Sequence, residues 1–195
     1  MQAEPNGWRG ATHLGCLLAA SLAVIAWPAA ASAAIVEVRG PSLFYEGAKG
    51  EINDLTLSKA PEGKLTISDG EAPITPGAGC RRRAVRTVRC DAKGITQIVA
   101  KGNDLDDTLV NDTRIPSRLD GGDGKDRVVG GSEGDVLYGG DDEDRISGRG
   151  GKDTVRAGGL WSDAIRCGGG RDTVFADWSD RVMRSCESVH RPAAA

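Results

Sequence analysis

The sequence is poor in aromatic residues and almost lacks histidine. Two Phe, two Tyr and four Trp make up 4% of its 195 residues, and the histidines are His13 and His190 alone. So few rings make a thick core hard to build, while a narrow one stays accessible. One histidine beyond the N-terminal segment provides no cluster for zinc or copper. The sequence carries no G-x-S-x-G elbow, no HExxH and no Walker loop. The case for an enzyme is therefore poor, and none is expected. A long apolar run is also lacking, except near the N-terminus. There Arg9 precedes the run Leu14 to Trp27, which ends in Ala31-Ser32-Ala33. That layout reads as a secretory signal peptide over 1–33, cleaved after Ala33, with membrane contact only during export. Cys16 opens the apolar run and does not suit a lipid anchor.

Glycine and acid are what the chain has in quantity, and their arrangement is regular. From Gly121 to Arg156 the sequence reads GGDGKDRVV, GGSEGDVLY, GGDDEDRIS, GRGGKDTVR, a period of nine. An Asp two residues before an aliphatic recurs as Asp107-Leu109, Asp126-Val128, Asp135-Leu137, Asp144-Ile146, Asp153-Val155, Asp163-Ile165, Asp172-Val174 and Asp180-Val182. One unit is degenerate, with Ser117 in place of Asp ahead of Leu119. A short fixed period of this kind indicates a solenoid. Apolar spacing of i, i+3, i+4, i+7 is missing from the repeats, so helices are not expected. Each unit instead has a Gly-rich half such as Gly121-Gly122-Asp123-Gly124, which can turn tightly, and an extended half such as Arg127-Val128-Val129. Two units make one coil of about eighteen residues, twice the nine-residue period. The aliphatic residue faces inward because side chains alternate across a strand.

Units two apart should stack. Asp126 is then expected near Asp144, Asp135 near Asp153, Asp144 near Asp163, and Asp153 near Asp172. Stacked carboxylates repel one another, and Gly-rich turns expose backbone carbonyls beside them. A hard cation with six to eight oxygen ligands relieves that repulsion, and calcium suits it better than magnesium. The candidate ligands are Asp107, Gly121, Asp123, Asp126, Asp135, Asp141, Asp144, Asp153, Asp163 and Asp172.

These units resemble the nonapeptide repeats, GGxGxDxUx, of the RTX or haemolysin-type calcium-binding family. The resemblance covers roughly 102–180. It implies an all-β fold, a right-handed parallel β-roll with Ca2+ between stacked turns. Gly121–Val129 matches the pattern in full. Glu133 and Asp142 replace a turn glycine, Arg149 replaces another, and Trp161 and Ser162 occupy the turn of Gly158–Arg166. Those side chains are expected to distort their turns and leave some sites weak or empty. RTX proteins are commonly exported by a C-terminal signal, so an N-terminal one implies another route, and toxin activity is not carried over.

Charge divides along the chain. Residues 34–101 hold 8 acids and 11 bases, residues 102–180 hold 18 acids and 10 bases, giving +3 and −8. The run Arg81-Arg82-Arg83 with Arg86 and Arg89 is read as a solvated hairpin closed by Cys80 and Cys90, not as a nucleic-acid site, because no aromatics are interleaved. Beyond the signal segment lie four cysteines, an even number that reads as disulfides in an exported chain. Of three connectivities, Cys80–Cys90 with Cys167–Cys186 is favoured because each closes a local loop. Strand-like runs at 35–38, 42–45, 53–57, 64–67 and 96–99 suggest a β-rich cap before the roll. Segments similar to Ala48–Ser58 and Gly79–Cys90 precede the repeats in secreted actinobacterial RTX-like proteins, which supports a cap.

The expected organisation is a signal peptide at 1–33, a cap at 34–100, a calcium-binding roll at 101–182, and a C-terminal cap and tail at 183–195, with disorder from His190 onward. The expected function is that of a secreted, extracellular calcium-binding protein that folds or is stabilised on external calcium. The alternatives are a cell-surface scaffold that uses the roll as a spacer, with a protein or surface partner, and a small secreted hydrolase.

Overall fold

The computed structural model describes residues 33–193. The signal-peptide reading and Cys16 lie outside the described residues, apart from Ala33. Eighteen β-strands and one short 3-10 turn at Pro61–Gly63 make up the regular structure there.

Seven strands precede the repeats. β1 (Ala34–Arg39) and β2 (Ser42–Glu46) form an antiparallel pair, as do β3 (Asp54–Ala60) and β4 (Lys64–Asp69). β5 (Ile74–Pro76) runs parallel to β1. β6 (Cys80–Ala84) and β7 (Thr87–Asp91) form a hairpin, and β7 pairs with β4. The alternation is legible in β3 and β4: Leu55, Leu57, Leu65 and Ile67 are buried, with Thr and Ser between them facing outward.

The remaining strands are all parallel to their neighbours. One sheet continues through β8 (Gln97–Asp104), β10 (Ser117–Asp123), β12 (Val136–Asp141), β14 (Thr154–Arg156), β16 (Thr173–Phe175) and β18 (Ser188–His190). The other takes β9 (Thr108–Asp112), β11 (Arg127–Val129), β13 (Arg145–Gly150), β15 (Ala164–Gly169) and β17 (Arg181–Val182). The chain thus alternates between two nine-stranded sheets, forming an all-β parallel solenoid of about five turns. β2 joins β8 and β3 joins β9, so both sheets run unbroken from the first seven strands into the repeats.

The core is the aliphatic ladder. Leu119, Leu137, Val155 and Val174 pair in register in one sheet. Leu55, Leu109, Val128, Ile146 and Ile165 do so in the other. All are buried. A nine-residue unit places one such residue per strand, so the core is one side chain deep from each sheet. Disulfides join Cys80 to Cys90 and Cys167 to Cys186, the pairing expected from the sequence.

Two features differ from the sequence reading. The short strand β5 is not among the strand-like runs read from the sequence, because Pro76 masks any alternation, whereas β6 and β7 form the hairpin read there between Cys80 and Cys90. His190 is ordered rather than part of a loose tail: it ends β18, which pairs with β16, and its ring stacks on Phe175 at 5.1 Å.

Truncating one rung tests this thin core. Leu137→Ala should cost about 2–5 kcal/mol, the usual range for a fully buried leucine. Urea unfolding with calcium present measures it, and a cost under about 1 kcal/mol would mean Leu137 lies outside the cooperative core.

Candidate functional site

Each repeat Asp immediately precedes the first turn-to-strand residues, and its side chain folds back into the wall of the solenoid. The structure stacks these residues in two columns. In the first, the backbone N–H of Asn53 donates to Asp107 Oδ1 at 2.7 Å, and Asp107 N–H to Asp126 Oδ1 at 2.8 Å. The relay continues from Asp126 to Asp144 at 2.8 Å, Asp144 to Asp163 at 2.8 Å, and Asp163 to Asp180 at 3.0 Å. The second column runs from Ser117 to Asp135 at 2.7 Å, Asp135 to Asp153 at 2.9 Å, and Asp153 to Asp172 at 2.9 Å. Glu187 Oε2 closes it by accepting from Asp172 N–H at 2.8 Å. All four stacked pairs expected from the two-unit coil are present.

The relay uses only one oxygen of each carboxylate. The other, Oδ2, is buried without a hydrogen-bond partner in Asp107, Asp126, Asp144, Asp153, Asp163 and Asp172. Two of the stacked Asp differ. Asp135 Oδ2 accepts from Gly131 N–H at 2.6 Å, and Asp180 Oδ2 from Asp177 N–H at 2.8 Å. Backbone carbonyls of the next turn crowd the same space. A Cβ placed on Gly121 would collide with Asp126 Oδ2 and lie 2.5 Å from Gly139 O. The same holds at Gly139, with Asp144 Oδ2 and Ala157 O, and at Gly148, with Asp153 Oδ2 and Cys167 O. Gly121 therefore earns its place by having no side chain where a carboxylate and a carbonyl oxygen approach.

Burial makes the carboxyls of Asp107, Asp126, Asp144, Asp153 and Asp163 weak acids. It raises Asp107 to about 6, Asp126, Asp153 and Asp163 to about 7, and Asp144 to about 8. The relay N–H opposes the shift, while stacked neighbours add to it, as Asp163 and Asp126 do for Asp144. Burial raises Asp135 as well.

Among the described residues, no three His, Cys, Asp or Glu side chains converge as a metal cluster. A cation here must therefore draw on main-chain carbonyls alongside the carboxylates. An all-oxygen donor set with orphaned buried carboxylate oxygens fits a hard ion, and calcium takes six to eight such ligands at flexible geometry. When bound, it supplies the positive charge that those oxygens lack.

The other expected ligands are placed differently. Asp123 and Asp141 are exposed on the turn rim, where Asp123 is the in-register neighbour of both Asp104 and Asp141. Asp142 and Arg149 adopt positive φ, 74° and 68°, so their turns keep the left-handed bend at some steric cost rather than losing it. The turn of Glu133 is rebuilt: neither Gly131 nor Glu133 has positive φ, and there the second Asp135 oxygen is satisfied internally.

The sequence reading also missed Asn53. Asn53 heads the first column, where its Nδ2 donates to Gly102 O at 3.2 Å and Asp107 Oδ1 at 3.1 Å. A Cβ on Gly47 would meet Gly102 O and Asn53 Nδ2, as one on Gly121 meets Gly139 O and Asp126 Oδ2. An amide thus stands in the first coil where later coils have a bare carboxylate oxygen. Its one signal in the sequence is Asn53-Asp54-Leu55, an Asn-x-aliphatic in place of Asp-x-aliphatic.

Residues 120–159 match the family model of the RTX calcium-binding nonapeptide repeat, in four copies. This stretch is an RTX repeat block. RTX nonapeptide repeats bind Ca2+, and the solenoid is consistent with an RTX β-roll. No curated protein and no solved structure matches the chain. Asp126, Asp135, Asp144 and Asp153 lie inside the RTX match; Asp107, Asp163 and Asp172 lie outside it but take part in the same relay. RTX rolls of this family are typically structural rather than catalytic.

Two outcomes follow from the orphaned oxygens. The calcium-free fold retains protons that the unfolded chain, with carboxyls near the usual value of about 4, gives up. Its stability is thus greatest at low pH and is lost as pH rises from about 4 through the folded values of about 6 to 8. Calcium-free protein should melt at a higher temperature at pH 5 than at pH 8, and saturating calcium should reverse the order; melts indifferent to pH would contradict both. Asp144→Asn keeps the Oδ1 acceptor and imitates Asn53. It should stabilise the calcium-free protein by about 1–3 kcal/mol, the cost of an unsatisfied buried polar group, while weakening calcium binding. Calorimetry and denaturant unfolding read the two effects, and unchanged calcium affinity would show that Asp144 is not a ligand.

Proposed function

We propose that this chain is a secreted calcium-binding β-roll protein that folds, or is stabilised, on meeting calcium outside the cell. The observation that carries this reading is the set of six buried carboxylate oxygens without donors, aligned in two columns of an RTX-type roll. The ligands are Asp107, Asp126, Asp144, Asp153, Asp163 and Asp172 with neighbouring turn carbonyls, Gly121 among the residues that leave room for them. Asp123 and Asp141 contribute from the rim.

Export is supported by the N-terminal signal pattern and by two disulfides, which persist in oxidising compartments. Where calcium is scarce, the buried charges oppose folding of the roll and keep it extended for transport. Where calcium is abundant, each filled site stabilises the folded state by mass action, by about 2.7 kcal/mol at a hundred times the dissociation constant. The cap and first coil are less dependent on the ion, because Asn53 supplies donors and Tyr45 Oη donates to Asp69 Oδ2 at 2.5 Å.

Circular dichroism and hydrogen exchange with calcium, magnesium or chelator test the proposal. Calcium should raise the melting temperature far more than magnesium. In chelator, the relay amides of Asp126, Asp144 and Asp163 should exchange fast while those of Leu57 and Leu65 stay protected. Equal stability and equal protection in chelator would remove the calcium-switch reading.

A further inference from the structure

The arginine hairpin holds a charge arrangement that the calcium columns do not explain. Arg81 on β6 lies directly opposite Arg89 on β7, and Arg89 lies opposite Thr66 on β4. Like charges facing each other across strands are destabilising. The Cys80–Cys90 disulfide is the adjacent cross-strand pair and fixes this register, with Cα atoms 4.1 Å apart. Leu65, Val88 and Cys90 are buried in the core, so the alternating positions Thr66, Arg89 and Arg81 share the outer face.

The five hairpin arginines fall into two groups. Arg82 donates to Val85 O at 3.3 Å, and Arg86 donates to Gly70 O. The side chains of Arg81, Arg83 and Arg89 have no hydrogen bond or ion pair among the described residues. Arg89 Nε is shielded from water and has no acceptor, which is costly for a donor. These three line one open cavity of about 480 Å³ together with Lys64, whose Nζ lies 3.5 Å from Asp91 Oδ2. The cavity wall therefore holds four cationic side chains against one carboxylate.

We propose that this face binds a tetrahedral oxoanion, phosphate or sulfate, either free or as an ester group on a polymer. Guanidinium forks match such an anion with paired N–H donors, and one bound between Arg81 and Arg89 cancels their repulsion. Lys64 and Arg83 add charge from the sides. No aromatic residue lines the cavity, so nothing there stacks on a nucleobase. The site is independent of the calcium reading, since it lies wholly on β4, β6 and β7.

Titration of the full calcium-loaded protein with sodium sulfate, at ionic strength held constant with chloride, tests the site by NMR or calorimetry. Saturable one-site binding is expected. Arg81→Gln and Arg89→Gln should each weaken it about tenfold, the loss of one charge-assisted contact worth about 1.4 kcal/mol. Arg82→Gln and Arg86→Gln carry the same charge change and should stay within about twofold, because no binding contact is lost. Without sulfate, Arg81→Gln should melt no lower than the unaltered protein, because a repulsion is removed. A sulfated oligosaccharide that binds at least about tenfold tighter than sulfate, with the same variant pattern, assigns the anion to a polymer, whereas no such gain assigns a free ion. Absence of saturable binding by either probe, or equal loss in all four variants, overturns the proposal.

Discussion

The second oxygen of each stacked aspartate is the constraint on which the roll depends. A solenoid with nine-residue units has too few residues per coil to build a thick core, so its walls must be held by main-chain and near-main-chain contacts. The Asp Oδ1 atoms provide one such contact per unit, accepting the N–H of the equivalent residue one coil earlier. That arrangement pins each turn to its neighbour, but it also pulls the whole carboxylate out of water. In Asp107, Asp126, Asp144, Asp153, Asp163 and Asp172 the second oxygen is then buried where no protein donor reaches it. A carboxylate so placed is neutralised by a proton or offset by a cation, and which of the two prevails decides how stable the roll is.

This explains why the repeat keeps Asp where an amide or hydroxyl could serve the relay. Asn53 and Ser117 show that both can head a column: Asn53 passes its N–H to Asp107, and Ser117 passes its N–H and its hydroxyl to Asp135. Both residues stand at the N-terminal side of their columns. Past them, carboxylates recur in every turn. The result is a polarity along the solenoid, from an end whose side chains meet protein partners to coils whose second carboxylate oxygens do not. The N-terminal strands give the first such coil a paired surface to stack on, which suits nearest-neighbour propagation in repeat proteins.

Much of this was legible in the chain. The nine-residue spacing of Leu119, Val128, Leu137, Ile146 and Val155 fixes two strands per coil, and stacking of units two apart follows from it. The Asp partners follow in turn, because the relay and the ladder share one register. What could not be read was how the two carboxylate oxygens divide their roles, since that depends on turn conformation. Asp142 and Arg149 look like broken turn positions yet keep positive φ, whereas Glu133 accompanies a turn that is rebuilt. Glycine loss alone does not separate these cases; the difference lies in whether Gly131 N–H can swing to the Asp135 carboxylate. The hairpin β6–β7 was legible on other grounds. Its outward face is nearly all arginine, so no apolar alternation marks it as a strand, and only the spacing of Cys80 and Cys90 hints at the pairing.

The two disulfides sit at opposite ends of this polarity and answer a common problem. Each end of an open solenoid has strands with one unpaired edge and a core with one missing layer. At the N-terminal end the edge strands are β5 and β6, and Cys80–Cys90 holds the last hairpin in register against its own charge. At the other end β17 and β18 are short, and Cys167–Cys186 ties the closing segment to β15. Glu187, one residue beyond Cys186, then reaches Asp172 N–H and completes the second column. A cross-link next to the last acceptor keeps that relay closed where no further coil could close it. Covalent bonds thus secure the two places where neither the aliphatic ladder nor a calcium column has a next neighbour to lean on.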